Sequence, residues 1–333
     1  MIEKLHSRKH VFGRGWRRTM KWIMKKIIAM VITLFFVSVV TFLAFEVIAG
    51  NSVISKLGMD ATAEQVEALK EEYGLNKSIP ERYADWLSGA VKGDFGTSYQ
   101  YNMPVSKLVA ERMPVTVGLG LIGIVLILLI SIPLGLFVSK HEGGLWDHVI
   151  TTMNQVFMAV PHFFLGMLIC LIFGTVLKWF TPGTYVPISQ NVFGYFSYMI
   201  FPAIAIAIPK IAMVVKFLRT SVIRQMEMDY VRTARGKGNS EHRILYHHVL
   251  KNALIPVITF LAMIIADVLA GSIVLEPVFS LPGIGRLLVV SIANRDYPVV
   301  QVIVLYIATL VIGMNCIVDI LYQVLDPRVK ETV

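Results

Sequence analysis

The stretch "RTARGKGNSEHRILYHHVLKNALIP", Arg232 to Pro256, decides how this chain folds. It is basic and polar inside a 333-residue sequence that is 56% hydrophobic. Apolar runs flank it at 195–215 and 253–275, and a short turn would have sufficed to reverse the chain between them. Its charge and length therefore pose two questions: what the flanking runs are, and what the polar segment meets.

Working outward, further apolar runs lie at 27–49, 115–139, 150–177 and 298–322, six in all with the flanking pair. Each is long enough for a hydrocarbon core that takes about 20 helical residues. A mean hydropathy of +0.67 with 16% charged residues excludes an ordinary soluble domain. The reading is an all-α polytopic membrane protein with six transmembrane helices. The first run, "IIAMVITLFFVSVVTFLAF", is longer than the apolar region of a signal peptide, and no small-x-small cleavage site follows it. Cys170 and Cys316 both fall in spans and read as small buried hydrophobes, with no metal-site spacing.

Lysine and arginine set the orientation, because cytoplasmic loops near span ends retain them. Nine precede the first span (Lys4, Arg8, Lys9, Arg14, Arg17, Arg18, Lys21, Lys25, Lys26), and the region 210–252 holds another nine. With the N-terminus inside, 140–149, 216–252 and 323–333 also lie inside, giving an N-in, C-in topology. The outside segment 50–114 balances seven basic residues with nine acids. The net charge of +9 is thus a topology signal. Nucleic acid is not an expected partner, since the basic loop has neither aromatic interleaving nor a reader motif.

The outside segment reads as folded. "TAEQVEALKEEYG" starts with a capping box, Thr62 with Gln65, keeps Val66, Leu69 and Tyr73 on one face, and can stop at Gly74. "PERYADWLSGAVKG" predicts a second amphipathic helix with Pro80 near its start and Tyr83, Leu87 and Val91 on one side. Amphipathicity alone leaves open a cap that packs the bundle and a landing surface for an outside partner. Inside the spans, Pro133, Pro161, Pro202 and Pro209 mark expected bends. Glu46 and Asp319 sit near span ends, whereas Asp267 is deep. A deep carboxylate is costly in lipid, so Asp267 either lines an aqueous path or makes an interhelical hydrogen bond.

Catalytic patterns are missing. "HEGGL" at His141 lacks the second zinc-ligand histidine, that place being Leu145. "GKGNS" fails the phosphate-loop spacing because Gly238 follows Lys237, and no Gly-x-Ser-x-Gly elbow occurs. His242, His247 and His248 read as solvated helix-face residues, so no metal and no cofactor is expected.

The segment "DYVRTARGKGNSEHRILYHHVLKNALIP", Asp229 to Pro256, closely resembles the cytoplasmic coupling loop of ABC-importer permeases of the dipeptide/oligopeptide/nickel branch. The family's Glu-Ala-Ala places read Arg232, Thr233 and Ala234, with Gly238 as the glycine four residues on. Other landmarks agree in order: "YGLNKSIPERYADWL", "GDFGTSY", "RMPVTVGLG", "FSLPGIGRLL", "RDYPVV" and "VDILYQVLDPR", so the resemblance runs from about Ile27 to Arg328. It implies a type I ABC-importer permease fold in a bacterial or archaeal cytoplasmic (inner) membrane. The implied partners are a homologous second permease, two ABC ATPase subunits, an extracytoplasmic solute-binding protein, membrane lipid and a peptide substrate. The chain itself would be non-catalytic. The loop residues carried over are Asp229, Tyr230, Arg232, Thr233, Ala234, Arg235, Lys237, Gly238, Asn239 and Ser240.

Turn chemistry agrees with that role. Gly238 permits a joint that a residue with a β-carbon resists, and Asn239 and Ser240 can cap the next helix. The division implied is a basic cytoplasmic tail 1–26, a first span 27–49, an external segment 50–114, and a five-span core 115–325 with coupling loop 219–252. A cytoplasmic tail, 326–333, ends the chain. Three features depart from the branch: the long basic tail, Pro277 in "LEPVF", and Asp267. Nickel chelates or another small solute remain same-branch alternatives to peptides. An ion-coupled secondary transporter using Asp267 and Glu46 is the rival from another class, although no inverted repeat is evident.

Overall fold

The structure, a computed structural model, describes residues 2–49, 64 and 76–325, and the side chains of 22–45, 64 and 76–320. The Thr62 capping box with its helix to Gly74, the side chain of Glu46 and the tail 326–333 lie outside the described residues.

The described chain is helical. Helix α1 (Ile2–Ala49) carries the first span within it, so the basic N-terminal segment and the apolar run form one continuous helix. Helix α2 (Ile79–Val91) follows in the external segment, then α3 (Val105–Lys140). Helices α4 (Leu145–Ala159) and α5 (His162–Val176) come next, the latter π-helical from Cys170. Helix α6 (Val192–Met226) leads to α7 (Asp229–Gly236) and α8 (Glu241–Val278), which contains a π-helical stretch at Ile244–Val249. Helices α9 (Ile284–Ala293) and α10 (Tyr297–Leu325) close the order.

Among the described residues five helices are long and apolar enough to cross a membrane. The expected third span, 150–177, differs: α4 and α5 meet at a 96° bend, so they make a sixth span only as a broken one. Pro161 is the cause, because it lacks an amide hydrogen and holds Val160 in an extended conformation. Pro133, Pro202 and Pro209, by contrast, lie inside continuous helices.

Helix α6 is the centre of the bundle. Its Ala203, Ala205, Ile206, Ala207, Val214, Val215 and Leu218 are almost wholly buried against α3, α8, α4 and α5. Small residues allow that closeness: a β-carbon at Gly123 of α3 would stand 3.0 Å from Ile206, and one at Gly135 would stand 2.8 Å from Leu218. Such contacts are what holds membrane helices together, since lipid gives no hydrophobic drive between them. Many leucines, valines and isoleucines on α1 and α3 face outward, as a lipid-facing surface requires. Lys26 of α1 and Asp319 of α10 form a 2.6 Å ion pair, which places the start of the first apolar span and the end of the last on the same side of the bundle.

Helix α2 forms where the sequence predicts. The amide and hydroxyl of Ser78 both donate to Glu81, at 3.1 and 2.8 Å, and Pro80 sits in the first turn. Tyr83 and Trp86 pack on Phe42 of α1, and the Tyr83 hydroxyl lies 2.8 Å from Ser38. The expected apolar face stops short, because Val91 is 82% exposed where the chain turns away through Gly93. The cysteines are likewise only half-buried free thiols.

Candidate functional site

Segment 219–252 holds the end of α6, helix α7 and the start of α8, the last two joined at a sharp corner. Helix α7 is amphipathic over two turns: Val231 and Ala234 are buried in the bundle's core, while Asp229, Arg232, Thr233 and Arg235 are exposed. Tyr230 is half-buried, its hydroxyl donating to Gln225 at 2.9 Å. Gly238 has φ +78° at the corner, in the region that costs an L side chain most. Nothing stands near the place a β-carbon would occupy there, so the requirement for glycine is backbone conformation, with no contribution from crowding.

The corner is tied on both sides. Asn239 Nδ2 donates to the Ala234 carbonyl at 3.1 Å, so Asn239 closes α7 rather than capping the next helix. Ser240 does cap α8, its Oγ accepting from the Arg243 amide at 3.4 Å. Across the joint Arg235 grips Glu241 with two hydrogen bonds, 2.6 and 3.0 Å. Ile244, Leu245 and Val249 then bury in the core, while His242 stacks on Tyr246 and His247 and His248 are exposed. Lys237 and Arg232 remain outward, the latter 3.6 Å from Asp229. The result is a positively charged projection anchored by apolar residues.

The comparison with known proteins decides what kind of protein carries this projection. The family described as "binding-protein-dependent transport system inner membrane component" matches residues 131–331, and the N-terminal part of such components matches residues 19–120. The chain belongs to this family. Among relatives, the oligopeptide transport system permease protein of Bacillus subtilis is 34% identical over 93% of this chain and 99% of its own length. The dipeptide transport system permease protein of Lactococcus lactis subsp. cremoris has the same identity and coverage. A probable peptide ABC transporter permease protein of Sinorhizobium fredii is 31% identical over 93% and 99%. This permease is therefore a multi-pass inner-membrane ABC-importer component and a non-catalytic subunit, which displaces the ion-coupled carrier.

Asp267, the deep carboxylate of the permease, is bonded rather than isolated: Lys210 of α6 donates to its Oδ2. In the sequence Lys210 counts only among the basic residues of 210–252, although a cation beside Pro209 and inside the run 195–215 was the available signal for an intramembrane partner. The structure does not bring Asp267 to segment 229–240: that segment precedes α8, whereas Asp267 lies far along it.

Three other buried polar sites also escaped sequence reading. Asp147 at the start of α4 is clamped by Arg219 of α6 through Nε–Oδ1 and Nη2–Oδ2 contacts of 2.6 Å, and it also accepts from the Gly143 amide at 2.9 Å. This fork ties the loop after α3 to the helix that leads into the projection. At the opposite end of the bundle, fully buried Glu276 accepts from Thr116 Oγ1 at 2.5 Å and the Gly285 amide at 2.6 Å. It thereby caps α9. Buried Asp296 accepts from the Ser98 hydroxyl and from the Tyr99 amide at 3.0 Å. Among the described residues no group of three His, Cys, Asp or Glu is placed to hold a metal ion.

Proposed function

We propose that this permease imports di- or oligopeptides and takes its power from two separate ATPase subunits through segment 219–252. The observation that carries the reading is the anchored projection: Val231 and Ala234 fix α7 to the core, while Arg232, Arg235 and Lys237 are left outward. A loop held only by solvent has no reason to bury one face and staple its corner with Arg235–Glu241. A docking helix needs both features, since a push on its outer face must reach the bundle through its inner one. The relatives named as oligopeptide and dipeptide permeases support the cargo class.

In this reading both termini are cytoplasmic, as the lysine and arginine distribution favours. The Lys26–Asp319 pair agrees by placing the start of the first span and the end of the last on one side. A homologous permease completes the path, and a solute-binding protein delivers cargo to the external face. Segments 1–26 and 326–333 are cytoplasmic tails, 50–114 is external, and 115–325 is the transporting core. Asp267 lines the path. Its side chain is 58% exposed in the single chain, and a carboxylate with that exposure does not face lipid.

The test combines topology with coupling. A cysteine at Ser240 should be labelled by an impermeant reagent only after permeabilisation, and one at Lys92 without it. Gly238→Val forces a β-branched residue into φ +78°, a strain of about 1–3 kcal/mol. Arg232→Glu reverses an outward charge. Both variants should keep normal membrane abundance, co-purify less ATPase, and lose binding-protein-stimulated hydrolysis and peptide uptake. Parent-like hydrolysis and uptake in both would reduce the loop to a connector and remove the proposal's support.

A further inference from the structure

Asp267 and Lys210 have a third neighbour, identified by two helix registers. A β-carbon at Gly271, one turn along α8 from Asp267, would lie 3.4 Å from His162 Nε2 and 3.5 Å from Ile206 Cδ1. Ile206 in turn is one turn along α6 from Lys210. Helix α8 and helix α6 run in opposite senses, so both registers place His162 one turn, about 5 Å, to the same side of the ion pair. That side points away from segment 219–252, toward the external end. His162 opens α5 immediately after the 96° break at Pro161. Three elements, one of them broken, thus bring a lysine, an aspartate and a histidine within one helical turn of one another in the apolar bundle.

The pair is lopsided. The Lys210 side chain is 13% exposed and that of Asp267 is 58% exposed. The lysine is the buried backing and the carboxylate is the presented group. Only Asp267 Oδ2 receives Lys210, and among the described residues no donor reaches Oδ1. His162 Nε2 is shielded and has no hydrogen-bond partner among the described residues. Asp267 Oδ1, on the exposed side of the pair, is free to accept from a donor that arrives from outside the chain.

We infer that Asp267, backed by Lys210 and with His162 one turn outward, is the wall position that receives the ammonium end of a peptide cargo. The inference rests on the peptide-import reading. A cationic N–H donor satisfies the open oxygen with a charge-assisted bond, and Lys210 keeps the resting site neutral so that the empty carboxylate is tolerated. Because Asp267 acts on cargo already released into the path, its effect belongs in the maximal uptake rate, whereas selection by the binding protein appears at low loading.

The experiment uses the complete importer in liposomes, with saturating binding protein loaded with a tripeptide. Asp267→Asn should lower the maximal uptake rate about tenfold, the order expected for losing one charge-assisted bond. Membrane abundance, co-purification of the second permease and binding-protein-stimulated hydrolysis should stay normal. The exchanged pair Lys210→Asp with Asp267→Lys restores an interhelical bridge but presents the wrong charge, so it should not recover uptake. The same tripeptide with an acetylated amino end should enter the parent and the Asn variant equally slowly. If Asp267→Asn alone depletes the protein, Lys210→Met with Asp267→Asn removes both charges and is read in the same way. Recovery by the exchanged pair, uptake within twofold of the parent in the Asn variant, or loss of the second permease from it would overturn the inference. The last result would assign Asp267 to the subunit contact. A parent that imports another solute but no peptide would instead sink the cargo reading beneath it.

Discussion

Replacing Glu276 by alanine is the severest single test of how the external end of the bundle is held. The side chain is fully buried and accepts from Thr116 Oγ1 at 2.5 Å, the Gly285 amide at 2.6 Å and, more weakly, the Arg286 amide at 3.3 Å. Thr116 Oγ1 meanwhile accepts from the Ile284 amide at 3.0 Å, so the first amides of α9 depend on this one cluster. Truncation leaves two strong donors without partners, each costing about 1–3 kcal/mol, and also a small cavity. A loss of about 4 kcal/mol follows. Glutamine should be far milder, about 1 kcal/mol, because its oxygen can still face the amides of Gly285 and Arg286 while its NH2 meets Thr116 Oγ1. Domains of 150–250 residues shift roughly 2–4 °C per kcal/mol, so the alanine variant should lose its monodisperse elution peak about 10 °C below the parent. The assay is the temperature of half-loss in detergent, read by size exclusion of a fluorescently tagged permease. Equal damage from alanine and glutamine, or an alanine variant within about 2 °C of the parent, would refute the argument that these donors hold α9.

The remaining predictions concern local features. Gly285→Ala places a β-carbon 2.0 Å from the Ile273 carbonyl oxygen, so the variant should be depleted from the membrane, whereas Gly236→Ala, with open space, should accumulate normally on immunoblots. Asp147→Asn removes the charge that the Arg219 fork grips; since Arg219 is a quarter exposed, the loss should fall below the 3–5 kcal/mol typical of a fully buried broken pair. It should appear as faster proteolysis of the 140–147 loop at unchanged span integrity. At α2, hydrogen bonds from Ser78 hold the Glu81 carboxyl below its ordinary value of 4.5. A depressed carboxyl stabilises the helix above that ordinary value, and the contribution fades as pH falls through the folded one. Hydrogen exchange over 79–91 should therefore distinguish the parent from Glu81→Ala at pH 6, and the difference should shrink as the pH is lowered past the folded value; a constant difference would exclude the linkage.

The sequence by itself determined the class of the protein. Six apolar runs, a polar segment that begins at Arg232, and the biased placement of lysine and arginine require a helical membrane protein, because backbone in lipid must bond within its own segment. Local turn chemistry was legible in part, since Pro133, Pro202 and Pro209 lie inside continuous helices and Asn239 closes α7 instead of capping α8. Pro161, Gly238 and Ser240 each act through their own backbone or within a few residues, so their bend, corner and cap could be read without knowing any neighbour.

Partnership across the chain was decided only by the tertiary structure. "GDFGTSY" and "RDYPVV" look unrelated, yet Ser98 and Asp296 meet across 198 positions. "RMPVT" and "LEPVFSLPGIG" likewise meet through Thr116 and Glu276. Asp267 gave notice of a deep charge, but nothing in the order of residues said that Lys210 would back it or that the break at Pro161 would bring His162 beside Gly271. Hydropathy is a property of one segment, and a helix can present any of its faces to any neighbour. The packing of small residues on α3 and α6 fixes which faces meet, and with that choice the carboxylates acquire their partners.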